Sequence, residues 1–257
     1  MFSKIIYINL DRRPDRNENV INQLKNINYN GRLERFSAID SKKLDINMMP
    51  NNIFTKKAID DANDTTGKLY NVMTKGAIGC TLSHKLIYEK ILYGEDEYVL
   101  ILEDDITFDD NFIKKYTDII KKIPKYDILY LGYHNKNDLK NHNSYDVPRE
   151  LWGLFGYIIN KKAAKKLLEV FPITAQIDSE ISRAYPDLKV YALKEDERII
   201  SSDTSQTSYR FGTDIQTREG FSSSCQNYFT MENIIVSALI ILCIYNMIAI
   251  NKKKLSK

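Results

Sequence analysis

The residues best suited to chemistry in this chain are three consecutive carboxylates, Glu103-Asp104-Asp105. They stand directly after the wholly apolar run Tyr98-Val99-Leu100-Ile101-Leu102. Three acids at the end of a buried strand repel one another unless a cation shares them. Mg2+ or Mn2+, bound by one or two carboxylates together with substrate phosphates, relieves that repulsion. Extended backbone alternates its side chains, so Glu103 and Asp105 share one side and become the expected metal ligands, while Asp104 points elsewhere. The competing reading is a solvated acidic turn that caps the following helix.

The other candidates are less specific. Asp11-Arg12-Arg13-Pro14-Asp15-Arg16 follows the first apolar run. Arginines there suit bidentate pairing with phosphate, and equally an exposed basic turn. Ser83 and His84 share a helical stretch, but a lone histidine is more often a satisfied structural group than a catalyst. Asp178 and Glu180, beyond Pro172, are candidates for a general base among many surface carboxylates. Trp152, the single tryptophan, suits stacking on a sugar or base, with a core position as the blander alternative.

The elements that must position these residues read as an alternation. Residues 4–10 form an apolar strand, 15–26 a helix with Val20, Ile21 and Leu24 on one face, and 33–39 a short strand. Residues 42–70 are polar and read as a long loop. A helix over 76–92 precedes the strand at 98–102. Asp110 suits the N-cap of a helix reaching Ile123 and stopped by Pro124. A strand over 127–131 closes at Gly132, and another follows at Tyr157-Ile158-Ile159. A helix over 161–170, a short helix after Asp178, and strands near Val190 and Ile199 complete the unit. This alternation predicts an α/β domain with a mostly parallel sheet covered on both faces. Ligands bind beyond the carboxyl ends of such strands, where the acidic triplet falls.

With 257 residues, 43% of them hydrophobic, the chain can bury the core of one large domain. Four of its 37 basic residues are lysines within 251–257, leaving 33 against 34 acidic residues. The body is nearly neutral and offers no footprint for nucleic acid. Cys80, Cys225 and Cys243 are odd in number and widely spaced, against a disulfide framework or a zinc site. Cys80 and Cys243 read as buried thiols. The apolar opening is too short for a signal peptide. Residues 234–250 are uncharged and bounded by Glu232 and Lys252-Lys253-Lys254. As a helix they would reach ~26 Å, enough for a thin bilayer, with Asn246 the discordant residue. The expected organisation is a catalytic domain over 1–212, a linker over 213–233, a transmembrane helix over 234–250 and a basic tail over 251–257. Without a leader to translocate the domain, it is expected on the cytosolic side of a single C-terminal anchor.

In chain order, several segments together resemble glycosyltransferase family 25. They are Ile6-Tyr7-Ile8-Asn9-Leu10 with Arg12, Arg13 and Arg16, then Gly76-Ala77-Ile78-Gly79-Cys80-Thr81-Leu82-Ser83-His84, then Val99 to the acidic triplet. That family includes bacterial lipooligosaccharide galactosyltransferases and procollagen galactosyltransferases. Trp152, Gly156-Tyr157-Ile158-Ile159 and Ala163-Ala164-Lys165-Lys166-Leu167-Leu168 look like its second block. Ile177-Asp178 looks like its acidic site, and Ser202-Asp203-Thr204 like a closing motif.

The resemblance implies a GT-A-type, Rossmann-like fold and inverting transfer of galactose or glucose from a UDP-hexose. The acceptor would be a hydroxyl on a protein or glycan: hydroxylysine in a collagen-like chain, a glycolipid or another sugar. Glu103 and Asp105 would hold Mn2+ or Mg2+, and Asp178 would be the base, with Glu180 competing for that role. Asn9, Arg12, Arg13, Arg16, Ser83, His84, Asp104 and Trp152 would surround the donor. The sequence departs from some GT-A enzymes in one respect. His84, His134 and His142 all precede Trp152, so no C-terminal histidine completes the metal shell, which is left to phosphate, water or Asp203. Two other classes compete: a metal-dependent nucleotidyl- or phosphotransferase, although no G-x-x-x-x-G-K-[ST] loop is present, and an inactive membrane-anchored sugar-binding module.

Overall fold

A computed structural model describes residues 1–64, 72–134 and 140–202. Asp203, Thr204, Cys225, Cys243, the expected linker over 213–233, the expected membrane helix over 234–250 and the basic tail lie outside the described residues. Among the described residues, no helix is long and apolar enough to cross a membrane.

The first apolar run is β1 (Lys4–Asn9), buried from Ile5 onward. Pro14 opens α1 (Pro14–Asn26), where its missing N–H costs nothing, and the helix buries Val20 and Leu24. β2 (Arg32–Ser37) pairs parallel to β1 at the sheet edge. The expected loop over 42–70 is more ordered than its polarity suggested. It holds 3-10 turns at Ser41–Lys43 and Ile46–Met48, then α2 (Lys56–Asn63), capped by the Thr55 side chain. Ile53, Phe54 and Ala58 are buried within it, so a few well-placed apolar residues hold an otherwise polar segment down. α3 (Lys75–Tyr93), capped by Thr74, leads to β3 (Tyr98–Leu102), the strand that ends on the acidic triplet.

β4 (Ile106–Phe108) precedes α4 (Phe112–Lys122). The N-cap of α4 is Asn111, not the expected Asp110, and Asp109 accepts the Asn111 amide at 2.9 Å. β5 (Ile128–His134) does not close at Gly132 but runs two residues further. β6 (Lys140–His142) and β7 (Tyr145–Val147) form an edge hairpin. β8 (Trp152–Asn160) is longer than its apolar centre indicated, and Asn160 caps α5 (Lys161–Leu168). Asp178 lies inside α6 (Ile177–Glu180), not ahead of it. β9 (Val190–Leu193) and β10 (Ile200–Ser202) complete the described chain.

The main sheet has the order β2-β1-β3-β8-β5-β9-β7-β6. β1 runs parallel to β2 and β3, and β5 runs parallel to β9. β8 is inserted between β3 and β5 in the opposite direction. The expected mostly parallel sheet is therefore interrupted at its centre, in a Rossmann-like α/β domain. The reversal matters because the start of β8 meets the ends of β3 and β5. Two apolar layers cover the sheet. Ile78, Leu82 and Tyr88 of α3 fill one, and Val20, Leu24, Phe112 and Tyr116 fill the other. β10 and β4 form a small antiparallel pair near the sheet's end. A Cβ on Gly132 would stand 2.3 Å from the Ile200 carbonyl oxygen, so that glycine lets β10 approach β5 closely.

Candidate active site

An open cleft lies beyond the carboxyl ends of β1 and β3. Its floor is the acidic triplet. The Glu103 amide still donates to the Phe155 carbonyl at 3.2 Å, and the chain then turns. Asp104 faces inward and is buried, accepting Asn9 Nδ2 and Arg16 Nη1, each at 2.8 Å. Asn9 Oδ1 in turn accepts Arg35 Nε at 2.9 Å. Asn9, Asp104 and Arg16 thus tie the end of β1, the turn after β3 and the start of α1 into one buried clamp. Arg16 and Asp104 still form part of the cleft wall, whereas Asn9 stands behind it. Burial raises the Asp104 pKa, against the pull of Arg16 and the Asn9 hydrogen bond.

Glu103 and Asp105 are partly exposed to the cleft. Burial, then the Glu103 charge, push the Asp105 pKa up to about 7, although Arg16 Nη1 at 3.7 Å works the other way. Ser202 Oγ approaches Asp105 Oδ1 at 3.4 Å, which links β10 to the triplet.

His84 of α3 is fully buried. Its Nδ1 is hydrogen-bonded to the Tyr157 hydroxyl at 2.8 Å, and Tyr157 continues to the Tyr88 hydroxyl at 2.9 Å. The other nitrogen, Nε2, has no hydrogen-bond partner and points toward Glu103 Oε1 at 3.6 Å. An orphaned buried nitrogen beside two crowded carboxylates fits the chemistry of a divalent cation site, with Glu103 and Asp105 as hard oxygen donors.

Ser83 lines the cleft, but its hydroxyl is engaged: Oγ donates to the Gly79 carbonyl at 2.8 Å and accepts the Ile39 amide at 2.9 Å. It pins the segment after β2 against α3. Arg12 lies on the cleft wall with Nε donating to Asp40 at 3.0 Å. Arg13 pairs instead with Asp15 at 2.8 Å and is not part of that wall.

Asp178, in α6, is held against the start of the reversed strand and is not part of the cleft wall. Its Oδ2 accepts the Gly153 amide at 3.1 Å, one residue into β8, and its Oδ1 accepts the Ser179 amide at 2.9 Å. Burial raises its pKa, those two hydrogen bonds oppose the rise, and the Glu103 charge adds to it. Glu180 is occupied elsewhere. Its Oε1 accepts the Thr174 and Ala175 amides at 3.0 and 2.9 Å, and its Oε2 pairs with Arg183 at 3.0 Å. Trp152 is not in the core: it is 37% exposed at the start of β8, with Nε1 donating to Glu150 at 3.4 Å. Gly153 has φ +85, a left-handed conformation that favours glycine, and a Cβ there would stand 2.8 Å from His134.

Three residues of this neighbourhood escaped the sequence reading as site residues. Cys80, a free thiol, lies one helical turn before His84, a spacing that was legible. His134, opposite Trp152 in the β5–β8 register, and Tyr157, beneath His84, carried no local signal.

Residues 2–181 match the model of "Glycosyltransferase family 25 (LPS biosynthesis protein)". A glycosyltransferase 25 family member of Aedes aegypti is 32% identical over 182 residues, 66% of this chain and 28% of that protein. Procollagen galactosyltransferase 2 of Homo sapiens is 27% identical over 186 residues, 66% of this chain and 28% of its own length. Inactive glycosyltransferase 25 family member 3 of Homo sapiens is 28% identical over 182 residues, 67% of this chain and 29% of its own. The chain spans less than a third of the length of these relatives.

Proposed function

The chain belongs to glycosyltransferase family 25, and from that premise we propose that it transfers galactose or glucose, with inversion, from a UDP-hexose to a hydroxyl of a protein or glycan acceptor. Family membership supports a glycosyltransferase; the donor, the metal and the acceptor are our reading. The observation that carries it is the cleft lined by Glu103 and Asp105, with Asp178, held by the Gly153 amide, near enough for the Glu103 charge to raise its pKa.

Glu103 and Asp105 would hold Mn2+ or Mg2+. When bound, that ion supplies Lewis-acid stabilisation of the charge on the departing diphosphate. Arg12, on the cleft wall, adds positive charge for phosphate. Asp178 accepts the proton of the acceptor hydroxyl while its oxygen bonds to the anomeric carbon from the face opposite the diphosphate. The bond from that carbon to the diphosphate breaks, which inverts the centre. A raised carboxylate pKa makes Asp178 a stronger base than a solvated aspartate. Glu180, paired with the Arg183 guanidinium at 3.0 Å, is the weaker candidate, because a neighbouring cation favours the ionised carboxylate and makes it a poorer base. The exposed Trp152 ring, next to Gly153, offers an apolar face to a sugar. We also propose that residues 234–250 anchor this domain to a membrane from the cytosolic side.

The test is UDP release by the full chain from a panel of UDP-sugars, with Mn2+, Mg2+ or excess chelator. Release from UDP-galactose or UDP-glucose with metal alone is the expected result. Full turnover in chelator would remove the metal role. Turnover of ATP or CTP in place of UDP-sugars would favour a nucleotidyl- or phosphotransferase. UDP binding without turnover would match the relatives whose names mark them as inactive; the presence of all three carboxylates supports an active enzyme.

A further inference from the structure

We propose that Cys80, His84 and Glu103 form a binding site for a borderline-soft divalent cation, Zn2+ above all, that shares Glu103 with the hard-cation pair Glu103 and Asp105. Three elements converge to make it. Cys80 and His84 stand four residues apart on α3 and so share one helical face. Gly79 allows that helix to press against the segment after β2, since a Cβ there would stand 2.4 Å from the Ile39 carbonyl oxygen. Glu103 arrives from the end of β3.

The sulfur of Cys80, a ring nitrogen of His84 and a carboxylate oxygen of Glu103 all lie within 4.8 Å of one another. Ligand atoms around a tetrahedral zinc ion at ~2.0–2.3 Å stand ~3.3–3.6 Å apart. The His84 Nε2 to Glu103 Oε1 distance, 3.6 Å, is already at that value. Cys80 and Glu103, which both line the cleft, would close the remaining distance onto the fixed imidazole.

The second, independent observation is the state of His84. The ring is fully buried, and the Tyr157 hydroxyl on Nδ1 fixes its orientation with Nε2 facing Glu103. Nε2 has no hydrogen-bond partner. A metal-ligating histidine characteristically has its other nitrogen held in this way, and a bound ion satisfies the orphaned one. A thiol beside an imidazole selects zinc over magnesium or manganese, which prefer oxygen. Three protein ligands leave a fourth position for water or a phosphate oxygen from the cleft. On binding, the Cys80 thiol gives its proton to solvent as the sulfur–zinc bond forms. Zinc and the hard cation then compete for Glu103, a consequence that rests on the transferase reading; the zinc site itself does not.

The test uses the full chain carrying Cys225→Ser and Cys243→Ser, so that Cys80 is its sole thiol. Titration with Co2+ should give one equivalent of a tetrahedral spectrum with a thiolate-to-cobalt charge-transfer band, displaced by Zn2+. Zn2+ affinity is then read by competition with a chromogenic chelator. Cys80→Ser, nearly isosteric, should abolish the charge-transfer band and weaken Zn2+ binding by at least ~10–100-fold, the loss that even a ligand's supporting partner causes. His84→Gln, checked for folding by circular dichroism, should weaken it comparably. A cobalt band that survives Cys80→Ser, equal Zn2+ affinity in both chains, or no cobalt binding would overturn the site. A Cys80-dependent band in a chain without Mn2+-supported UDP-sugar turnover would leave the site standing and remove the transferase reading alone.

Discussion

Asp105→Asn should stabilise the metal-free protein at neutral pH even though it would damage the proposed metal site. The Asp105 pKa stands at about 7 against an ordinary 3.8, chiefly from burial and then from Glu103. A tenfold weakening of an acid corresponds to ~1.36 kcal/mol, so ionising this one in the folded chain costs up to ~4 kcal/mol. Because Glu103 shares the repulsion, ~2–4 kcal/mol is the expected range. The sign follows from proton linkage. Below about pH 4 the acid is protonated in both states and carries no cost. As pH rises the unfolded chain ionises first, and above about pH 7 the folded chain bears the whole cost. This contribution to wild-type stability is therefore lost between about pH 4 and 7, while an amide in the same place is indifferent to pH. In chelator the variant should match the wild type near pH 4 and exceed its Tm by roughly 5–15 °C at pH 8. Added Mn2+ should close the gap, since occupancy at 100 times Kd gives the wild type about 2.7 kcal/mol that the variant cannot recover. The assay is thermal and urea unfolding at both pH values, with chelator and with Mn2+. A variant less stable than wild type at pH 8 in chelator, or equally shifted at both pH values, would refute the reasoning.

Asp178→Asn should lower kcat by about 10^2 to 10^4 with UDP binding nearly unchanged, because a lost base acts on the transition state. Glu180→Gln should instead lower Tm by loosening the loop amides and Arg183 that it holds, and steady-state kinetics beside thermal unfolding separate the two; the reverse pattern moves the base to Glu180. A chain ending after Tyr228 should leave the membrane fraction and keep UDP-sugar activity, measured on carbonate-washed membranes. Protease protection of an N-terminal tag on the full chain would place the domain on the opposite side.

The sequence by itself determined the parts that depend on near neighbours. Tyr98 to Leu102 is apolar at every position, and β3 has those bounds. The spacing of Val20 and Leu24 predicted the buried face of α1, and acids placed straight after a buried strand pointed to its carboxyl end. Polarity hid the anchoring of residues 42–64, because the buried Ile46, Met49, Ile53, Phe54, Ala58 and Ala62 are divided between a 3-10 turn, a loop and α2, so no single period runs through them. The tertiary structure alone decided the direction of β8. A run such as Tyr157-Ile158-Ile159 is equally apolar read either way, and only its pairing with β3 and β5 selects the reversed strand. That choice brings Trp152 and Gly153, and through them Asp178, to the edge that carries Glu103 and Asp105. The same holds for His84, whose ring is oriented by a tyrosine 73 positions away. Local periodicity records which face of an element is buried; the partner on the other side of that face is fixed by packing between segments distant in the chain.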